Sequence, residues 1–371
     1  MAEPAVYLDY NATAPVRPEA AAALVEALRE PANASSVHAF GRRARSRLES
    51  ARATVAAAVG SEPEAVIFVS GGTEANDLAL LGMAGPTLVS AVEHPSVMEA
   101  VPGAPRIPVD GSGRLDLAAL ERLIHEHRPR LVSVMLANNE TGVVQPVADA
   151  ARLAHAAGAL LHVDAAQALG RIPVAVDDLG ADLLTLSGHK LGGPPGVGAV
   201  VLRPGVELRP RQRGGAQEAR RRAGTENLPA ILALAAAVAA MDPGEPRRIQ
   251  ALRDWLEREV LAGCEAARIA GAEAPRLPNT TCLLLPGVEG ATQLMALDMA
   301  GVAVSTGAAC SSGKVGPSHV LLAMGLPEAL ARCAIRVSLG WASGEADVER
   351  FLAVWLPLAR RALARGGATT T

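Results

Sequence analysis

Residues 159–190 read ALLHVDAAQALGRIPVAVDDLGADLLTLSGHK. Two short apolar runs, at 159–163 and 182–186, are each followed at once by a polar group of residues, DAAQ and SGHK. Continuous apolar runs of this length are typical of strands in a sheet that is covered on both faces. In an open parallel sheet, ligands bind beyond the carboxyl ends of the strands, so the two polar groups are expected to face one site.

The same pattern extends to both sides of this stretch. Further strand candidates are 65–70 (AVIFVS), 87–92 (TLVSAV), 130–136 (RLVSVML) and 198–202 (GAVVL). Amphipathic helix candidates lie between them, at 117–127 and 147–157. This alternation predicts an α/β fold, with a mostly parallel sheet wrapped by helices.

The chain divides near residue 246. With 371 residues it is too long for one small core. The breaker cluster at 243–246 (PGEP) is followed by a charged helix candidate at 247–261. We predict a large domain over 16–246, and a smaller α+β domain formed by 1–15 and 247–371.

Composition argues against several classes of partner. The formal net charge of -3 gives no general reason to expect nucleic-acid or membrane binding, and the arginine runs at 42–45 and 220–222 are typical of solvated faces. The first residues, MAEPAVYLDYNATAP, have neither the basic segment nor the long apolar segment of a secretory signal peptide, so a cytoplasmic location is expected. No CxxC pair occurs among the four cysteines, so neither a zinc site nor a disulfide framework is expected.

Five predicted strands end in polar residues whose chemistry is complementary. GGTEAN after 65–70 opens a helix whose N-terminus could bind a phosphate. The other strand ends supply His94, Asn139, Asp164, Gln167 and Lys190. Any one of these polar strand ends could simply be a polar turn, but five of them in succession favour a shared site. Such a set suits pyridoxal phosphate, in which a lysine forms a Schiff base and a carboxylate keeps the pyridine nitrogen protonated.

The motifs resemble those of one known family over residues 6 to 345. The matching stretches, in order, are YLDYNATAP, ANASSVHAFGRRA, SGGTEAND, EHPSV, NNETGVVQP, HVDAAQALGR, SGHKLGGPPGVGAV, RAGTEN, STGAACSSG and IRVSLG. This order is similar to that of the class V aminotransferase-like enzymes, and STGAACSSG resembles the cysteine desulfurases of the NifS/IscS type. The resemblance implies the fold type I of pyridoxal phosphate-dependent transferases.

The resemblance also implies roles for individual residues. Lys190 would carry the cofactor as a Schiff base, Asp164 would pair with the pyridine nitrogen, Gln167 would contact the ring hydroxyl, and His94 would stack on the ring and move protons. The phosphate contacts would be Gly72, Thr73, Ser187 and His189, together with Thr225 from the other subunit of a homodimer. The substrate contacts would be Asn139, Arg336 and Asn33; the forked Arg336 side chain suits a carboxylate.

One segment departs from the family pattern. Where the family has GGGQE, one further residue and a glycine, this chain has GGAQEAR at 214–220. Ala216 is tolerable there if its φ is negative. Arg220 in place of glycine leaves the backbone near Thr225 open to question.

Cys310 lies in VSTGAACSSGKVGPS, at 304–318, among small residues. A P-loop does not fit, because Ala308 replaces its first glycine and Val315 replaces its Ser or Thr. A metal site does not fit either, because His319 is the nearest second ligand, and the flanking residues have too little apolar bulk to bury a cysteine. An exposed nucleophile on a flexible loop remains, whereas Cys264, Cys282 and Cys333 lie in apolar or helical contexts.

The resemblance implies a cysteine desulfurase. It would convert L-cysteine to L-alanine, carry the sulfur as a persulfide on Cys310, and pass it to an acceptor protein for iron–sulfur cluster assembly or thiolation. Two alternatives stay open: a selenocysteine lyase or another class V enzyme with a different amino acid, and an inactive scaffold or sulfur carrier. The presence of Lys190, Asp164, His94 and Arg336 argues against the second.

Overall fold

A computed structural model describes residues 5–31, 33–306 and 316–367, without the side chains of 365–367. The strands in these ranges are β1 Val6–Tyr7, β2 Val66–Val69, β3 Thr87–Ser90, β4 Arg106–Ile107, β5 Leu131–Met135, β6 Leu160–Asp164, β7 Leu183–Ser187, β8 Gly198–Leu202, β9 Arg268–Ile269, β10 Thr280–Leu284, β11 Val302–Ala303 and β12 Ala334–Ser338. The helices are α1 Pro18–Ala27, α2 Ala39–Ala58, α3 Gly72–Leu81, α4 Pro95–Met98, α5 Leu117–His127, α6 Val147–Ala156, α7 Val176–Leu179, α8 Leu228–Ala239, α9 Glu245–Gly263, α10 Gly290–Met299, α11 His319–Ala323, α12 Glu328–Ala331 and α13 Glu345–Gly367.

A seven-stranded sheet forms the centre of the fold, in the order β2-β8-β7-β6-β5-β3-β4. Strands β7, β6, β5, β3 and β4 pair in parallel, whereas β8 is antiparallel to both β7 and β2. The segment 188–197 between β7 and β8 contains only a 3-10 turn, and a parallel return would need a longer crossover. The predicted α/β fold with a mostly parallel sheet is confirmed.

All six predicted strands are present, with ends that differ by at most two residues from the prediction. The strand β4, two residues long at the edge of the sheet, was not predicted. Neighbouring residues along a strand face opposite cores: Leu184 and Val201 pack on the side of α2 and α8, whereas Leu183 and Val200 pack on the side of α3. Burial on both faces explains the unbroken apolar runs in the sequence.

A second core lies beside the antiparallel sheet β12-β10-β9. Helices α9 and α13 cover it, with Phe351 and Trp355 fully buried. The N-terminal strand β1 pairs with β11, and Leu8 is buried in the same core. Helix α9 begins at Glu245, so the predicted boundary near 246 falls in its first turn. The division into two domains stays a prediction.

The segment that departs from the family pattern contains left-handed backbone. Ala216 has φ of -89°, as its tolerance requires. Glu218, Ala219 and Arg220 have φ of 46°, 53° and 65°. The Glu218 carboxylate pairs with the Arg52 guanidinium at 2.7 and 2.9 Å and accepts the Phe68 N–H at 2.9 Å. This buried ion pair holds the turn in a conformation that side chains disfavour.

Across the described part of the chain, the helices are too short or too polar to pass through a bilayer.

Candidate active site

A cavity of about 350 Å³ opens at the carboxyl ends of the central strands. It gathers residues from the strand ends, from the first turn of α3, from the N-terminal segment and from β12. The predicted site residues that line it are Gly72, Thr73, His94, Asn139, Asp164, Gln167, Ser187, His189, Lys190 and Arg336. The strand-end residues from Gly72 to Lys190 therefore meet in one place, as the strand-end argument expects. Arg336, which the family resemblance predicted, joins them from β12.

Lys190 enters the cavity from the 3-10 turn Gly188–Lys190, directly after β7. Its Nζ donates to the carbonyl oxygens of Asn11, at 2.6 Å, and Ala12, at 2.8 Å. The N-terminal segment thus holds the amine at the cavity wall.

Asp164 ends β6 and is 5% exposed. Its Oδ2 accepts from Asn76 Nδ2 at 2.8 Å, and its Oδ1 accepts from the Ala166 N–H at 2.9 Å. No ion pair to Asp164 occurs among the described side chains. A buried carboxylate of this kind is stabilised by a cation, and a protonated pyridine nitrogen in the cavity would supply one.

His94 caps the short helix α4 and faces the cavity. Its Nδ1 lies 2.8 Å from Ser96 Oγ and accepts the Ser96 backbone N–H at 3.1 Å. Burial lowers the pKa of His94; Asp164 acts in the opposite direction, and Lys190 and His319 lower it further. The ring is therefore neutral near pH 7.

The first turn of α3, together with Ser187 and His189, forms the part of the cavity that could bind an anion. Gly72 begins α3 and lies beside Ser187, since a Cβ placed on Gly72 would lie 3.4 Å from Ser187 Cβ. Unpaired N–H groups and the helix dipole favour a phosphate there. Burial, and then Lys190, lowers the pKa of His189 to about 4, so this ring is also neutral near pH 7.

The Gln167 side-chain amide is held by two hydrogen-bond partners. Its Nε2 donates to the Asn11 carbonyl oxygen at 3.0 Å, and its Oε1 accepts from Arg171. Burial, followed by the nearby Arg336, lowers the pKa of Arg171 to about 9, so the guanidinium still carries its proton near pH 7. The amide is fixed at the cavity wall.

Arg336 approaches the cavity from β12. Its Nη2 pairs with Asp9 Oδ1 at 2.7 Å, and its Nη1 donates to the Asn139 carbonyl oxygen at 3.1 Å. Its Nε is buried without a partner among the described residues. The guanidinium is thus oriented by protein groups and retains donor capacity for a carboxylate.

Three predicted residues do not line this cavity in the described structure. Thr225 lines a separate cavity of about 180 Å³. Asn33 is exposed, and its Oδ1 accepts the Ser35 N–H at 2.9 Å. Cys310 lies outside the described residues.

Several cavity residues were not predicted: Asp9, Asn11, Asn76, Ser96 and Ser305. Asn11 is 1% exposed, and its Nδ2 donates to the carbonyl oxygen of Asn139 and to Thr280 Oγ1. A helical period from Gly72 places Asn76 on the same face one turn later, a signal that was available in the sequence. Nothing local in the sequence shows that Asp9 and Asn11 reach this site.

The other cysteines are poor nucleophiles. Cys264, Cys282 and Cys333 are buried and unbridged. Burial raises the pKa of Cys282 to about 12. Among the described residues, no group of three or more His, Cys, Asp or Glu could hold a metal ion.

Comparison with known proteins places this arrangement in a family. The family described as aminotransferase class-V matches residues 6–351. A cysteine desulfurase of Cereibacter sphaeroides is 44% identical over 95% of this chain and 95% of its own length. A protein named cysteine desulfurase IscS, from Dictyoglomus turgidum, is 40% identical over 94% of this chain and 93% of its own.

Solved structures agree with this assignment. The X-ray structure of a NifS-like protein from Rickettsia africae superposes with a TM-score of 0.89 at 33% identity, covering 96% of this chain and 99% of that one. A structure titled SspA in complex with cysteine has a TM-score of 0.80 at 30% identity, covering 90% of this chain and 99% of that one. The chain belongs to the aminotransferase class-V family.

Proposed function

We propose that this protein is a pyridoxal phosphate-dependent cysteine desulfurase, which converts L-cysteine to L-alanine and transfers the sulfur to an acceptor. The observation that carries the proposal is the meeting of Lys190, Asp164 and Arg336 in one cavity. This chemistry requires an amine, a buried carboxylate and a cation for the substrate carboxylate. The carboxylate here, Asp164, has no ion pair within the part of the chain that the structure describes. The relatives named cysteine desulfurase support the choice of substrate.

The residues fit the cofactor. Lys190 would hold its aldehyde, Asp164 its ring nitrogen, Gln167 its ring hydroxyl, and the face of His94 would lie against the ring. The phosphate would be held by the first turn of α3 with Gly72 and Thr73, and by Ser187 and His189. When bound, pyridoxal phosphate supplies a carbonyl that captures the substrate amine and a ring that accepts electrons from the adjacent carbons.

The protein's own groups then position the substrate. Arg336 binds the carboxylate of cysteine, with Asn139 beside it and Asn33 as a further contact. When it is not bound to the cofactor aldehyde, the Lys190 amine would move a proton at the substrate α-carbon. The neutral His94 offers a ring nitrogen to the same cavity.

In this proposal, Cys310 carries out the sulfur transfer. Its thiolate attacks the substrate sulfur, so that an S–S bond forms while the bond from that sulfur to the β-carbon breaks. The electron pair of the broken bond stays on carbon, which takes up a proton and leaves as alanine. The persulfide then passes its outer sulfur to an acceptor thiolate, and Cys310 returns to its starting form.

Other parts of the proposal extend beyond this cavity. The acceptor is a protein of iron–sulfur assembly or of a thiolation pathway, and the enzyme is a homodimer in which Thr225 contacts the phosphate of the partner subunit. Sedimentation of the purified protein at the mass of two chains would support the dimer, and a monomer with full activity would refute it. A cytoplasmic location stays a prediction.

Turnover of cysteine by the reconstituted enzyme tests the function. We expect alanine and, with a reductant, sulfide in equal amounts. Cys310→Ser should keep the cofactor absorption and lose sulfide release, whereas Lys190→Ala should lose the absorption of the lysine-bound cofactor. Full sulfide release by Cys310→Ser would refute the role of Cys310, and turnover of selenocysteine alone would favour the lyase. A chain without cofactor absorption would be the inactive scaffold.

A further inference from the structure

A chain of hydrogen bonds joins Asp164 to His94 along the wall of the cavity. Asn76 Nδ2 donates to Asp164 Oδ2 at 2.8 Å and to Ser96 Oγ at 2.9 Å. Ser96 Oγ lies 2.8 Å from His94 Nδ1. Asn76 is 1% exposed, and all four side chains line the cavity. Two of the four, Asn76 and Ser96, have no part in the mechanism described above.

The direction of each hydrogen bond follows from the chemistry of the groups. A carboxylate only accepts, so Asn76 must present its NH₂ group to Asp164. The second proton of that NH₂ group is then directed at Ser96 Oγ, which accepts it. The Ser96 hydroxyl proton is left to donate, and His94 Nδ1 is the acceptor within reach.

His94 Nδ1 therefore receives two donors. Besides the Ser96 hydroxyl, the Ser96 backbone N–H donates to it at 3.1 Å. A ring nitrogen that accepts two hydrogen bonds carries no proton, so the proton of the neutral ring is on Nε2. Because Ser96 engages Nδ1, Nε2 is the ring nitrogen left for groups bound in the cavity that His94 lines.

We propose that Ser96 is a positioning residue that fixes His94 in the tautomer with its proton on Nε2, and that Asn76 ties this arrangement to the Asp164 carboxylate. The mechanistic meaning rests on the proposed function. His94 then offers the cavity a hydrogen-bond donor and has no free lone pair on Nε2 with which to remove a proton. The proton of the Cys310 thiol must go to another base, and the substrate amine is the candidate within the reaction.

The groups around His94 support a neutral ring. Asp164 on β6 favours the charged form of the ring, whereas burial, Lys190 after β7 and His319 on α11 favour the neutral form. The preceding residue, Glu93, turns its Oε1 to the Met135 N–H at 2.5 Å. Removing the Ser96 hydroxyl would remove a donor that stabilises the neutral ring, so the pKa of His94 would rise.

Nuclear magnetic resonance of the cofactor-free protein, with isotope-labelled histidine, tests the proposal. The His94 signals would be assigned by their loss in His94→Gln. We expect the tautomer with the proton on Nε2 in the unmodified chain, an upward shift of the His94 pKa in Ser96→Ala, and no such shift in Ser96→Thr, which keeps the hydroxyl. A proton on Nδ1, or an unchanged pKa in Ser96→Ala, would overturn the proposal.

The reconstituted enzyme gives a second readout. Ser96→Ala should move the acid limb of the kcat/KM profile to higher pH, and Ser96→Thr should restore the limb to its original position. An acid limb that does not move in Ser96→Ala would contradict the role in turnover. Absence of alanine from the unmodified enzyme would instead refute the proposed function and leave the resonance result to decide on Ser96.

Discussion

Arg336 is a buried cation whose guanidinium is held by two groups of the protein. Asp9 and the Asn139 carbonyl oxygen hold two of its nitrogens, and the buried Nε has no partner in the described structure. The planar fork can donate two parallel hydrogen bonds to a carboxylate, which a lysine ammonium cannot reproduce. Replacement by lysine should therefore affect substrate binding while the cofactor remains bound.

We expect Arg336→Lys to raise the KM for cysteine by about tenfold or more, the equivalent of one charge-assisted hydrogen bond. Steady-state kinetics would measure the change, and the cofactor absorption should be retained. Arg332→Lys, at an exposed arginine paired with Glu328, is the matched control and should leave KM unchanged. An unaltered KM in Arg336→Lys would show that the substrate carboxylate binds elsewhere.

Glu93 is a fully buried acid beside the site. Burial, and then the charge of Asp164, raises its pKa from 4.5 to about 8. Between these two values the folded protein keeps a proton that the unfolded chain releases, so Glu93 lowers the free energy of unfolding as the pH rises from about 5 to 8. Glutamine carries no charge in either state and lacks this pH dependence.

Glu93→Gln should therefore gain stability relative to the unmodified chain as the pH rises, by a few kcal/mol at about pH 8. Denaturant unfolding at several pH values would measure the difference. Glu121→Gln, at an exposed position on α5, should show no comparable trend. A constant difference for Glu93→Gln across this range would mean that Glu93 is ionised in the folded protein.

At the scale of elements, the turn Gln217–Arg220 has a backbone conformation that its side chains disfavour. Arg220 has φ of 65°, in the left-handed region that favours glycine. The ion pair between Glu218 and Arg52 holds the turn in place despite this strain. The departure at Arg220 is thus tolerated because neighbouring contacts fix the conformation, whereas Ala216 carries no strain of this kind.

We expect Arg220→Gly to raise the free energy of unfolding by about 1 kcal/mol, because glycine relieves the left-handed strain. The control is Arg221→Gly: Arg221 has φ of -91°, so glycine there should give no gain and should cost some stability through backbone entropy. Thermal or denaturant unfolding would compare them. A loss of stability in Arg220→Gly would show that the arginine side chain contributes more than the backbone strain costs.

The strand ends were the most predictable part of the site. A parallel sheet brings its carboxyl edges together, so Asp164, Gln167 and Lys190 could be placed at one edge from the apolar runs that precede them. Helix α3 was predictable as the anion-binding element for the same reason. The edge strand β4 was missed because two residues carry too little pattern to identify a strand.

At the scale of the whole molecule, the site depends on contacts between distant segments. Asp9 and Asn11 reach the cavity because β1 joins the second core and the following residues cross to the central sheet. Their roles depend on tertiary packing that no local pattern specifies. The link from Asn76 to Ser96 likewise joins two elements that only the fold brings together. The family motifs predicted which segments matter, and the structure adds the partners of each side chain.

The central claim is that sulfur from cysteine is carried on Cys310. Mass mapping of the reconstituted enzyme after brief exposure to cysteine, without reductant, tests it most directly. We predict one added sulfur atom on the peptide that contains Cys310, and none on the peptides of Cys264, Cys282 and Cys333. Alanine formed with no added sulfur on Cys310, or with the sulfur on another cysteine, would contradict the account.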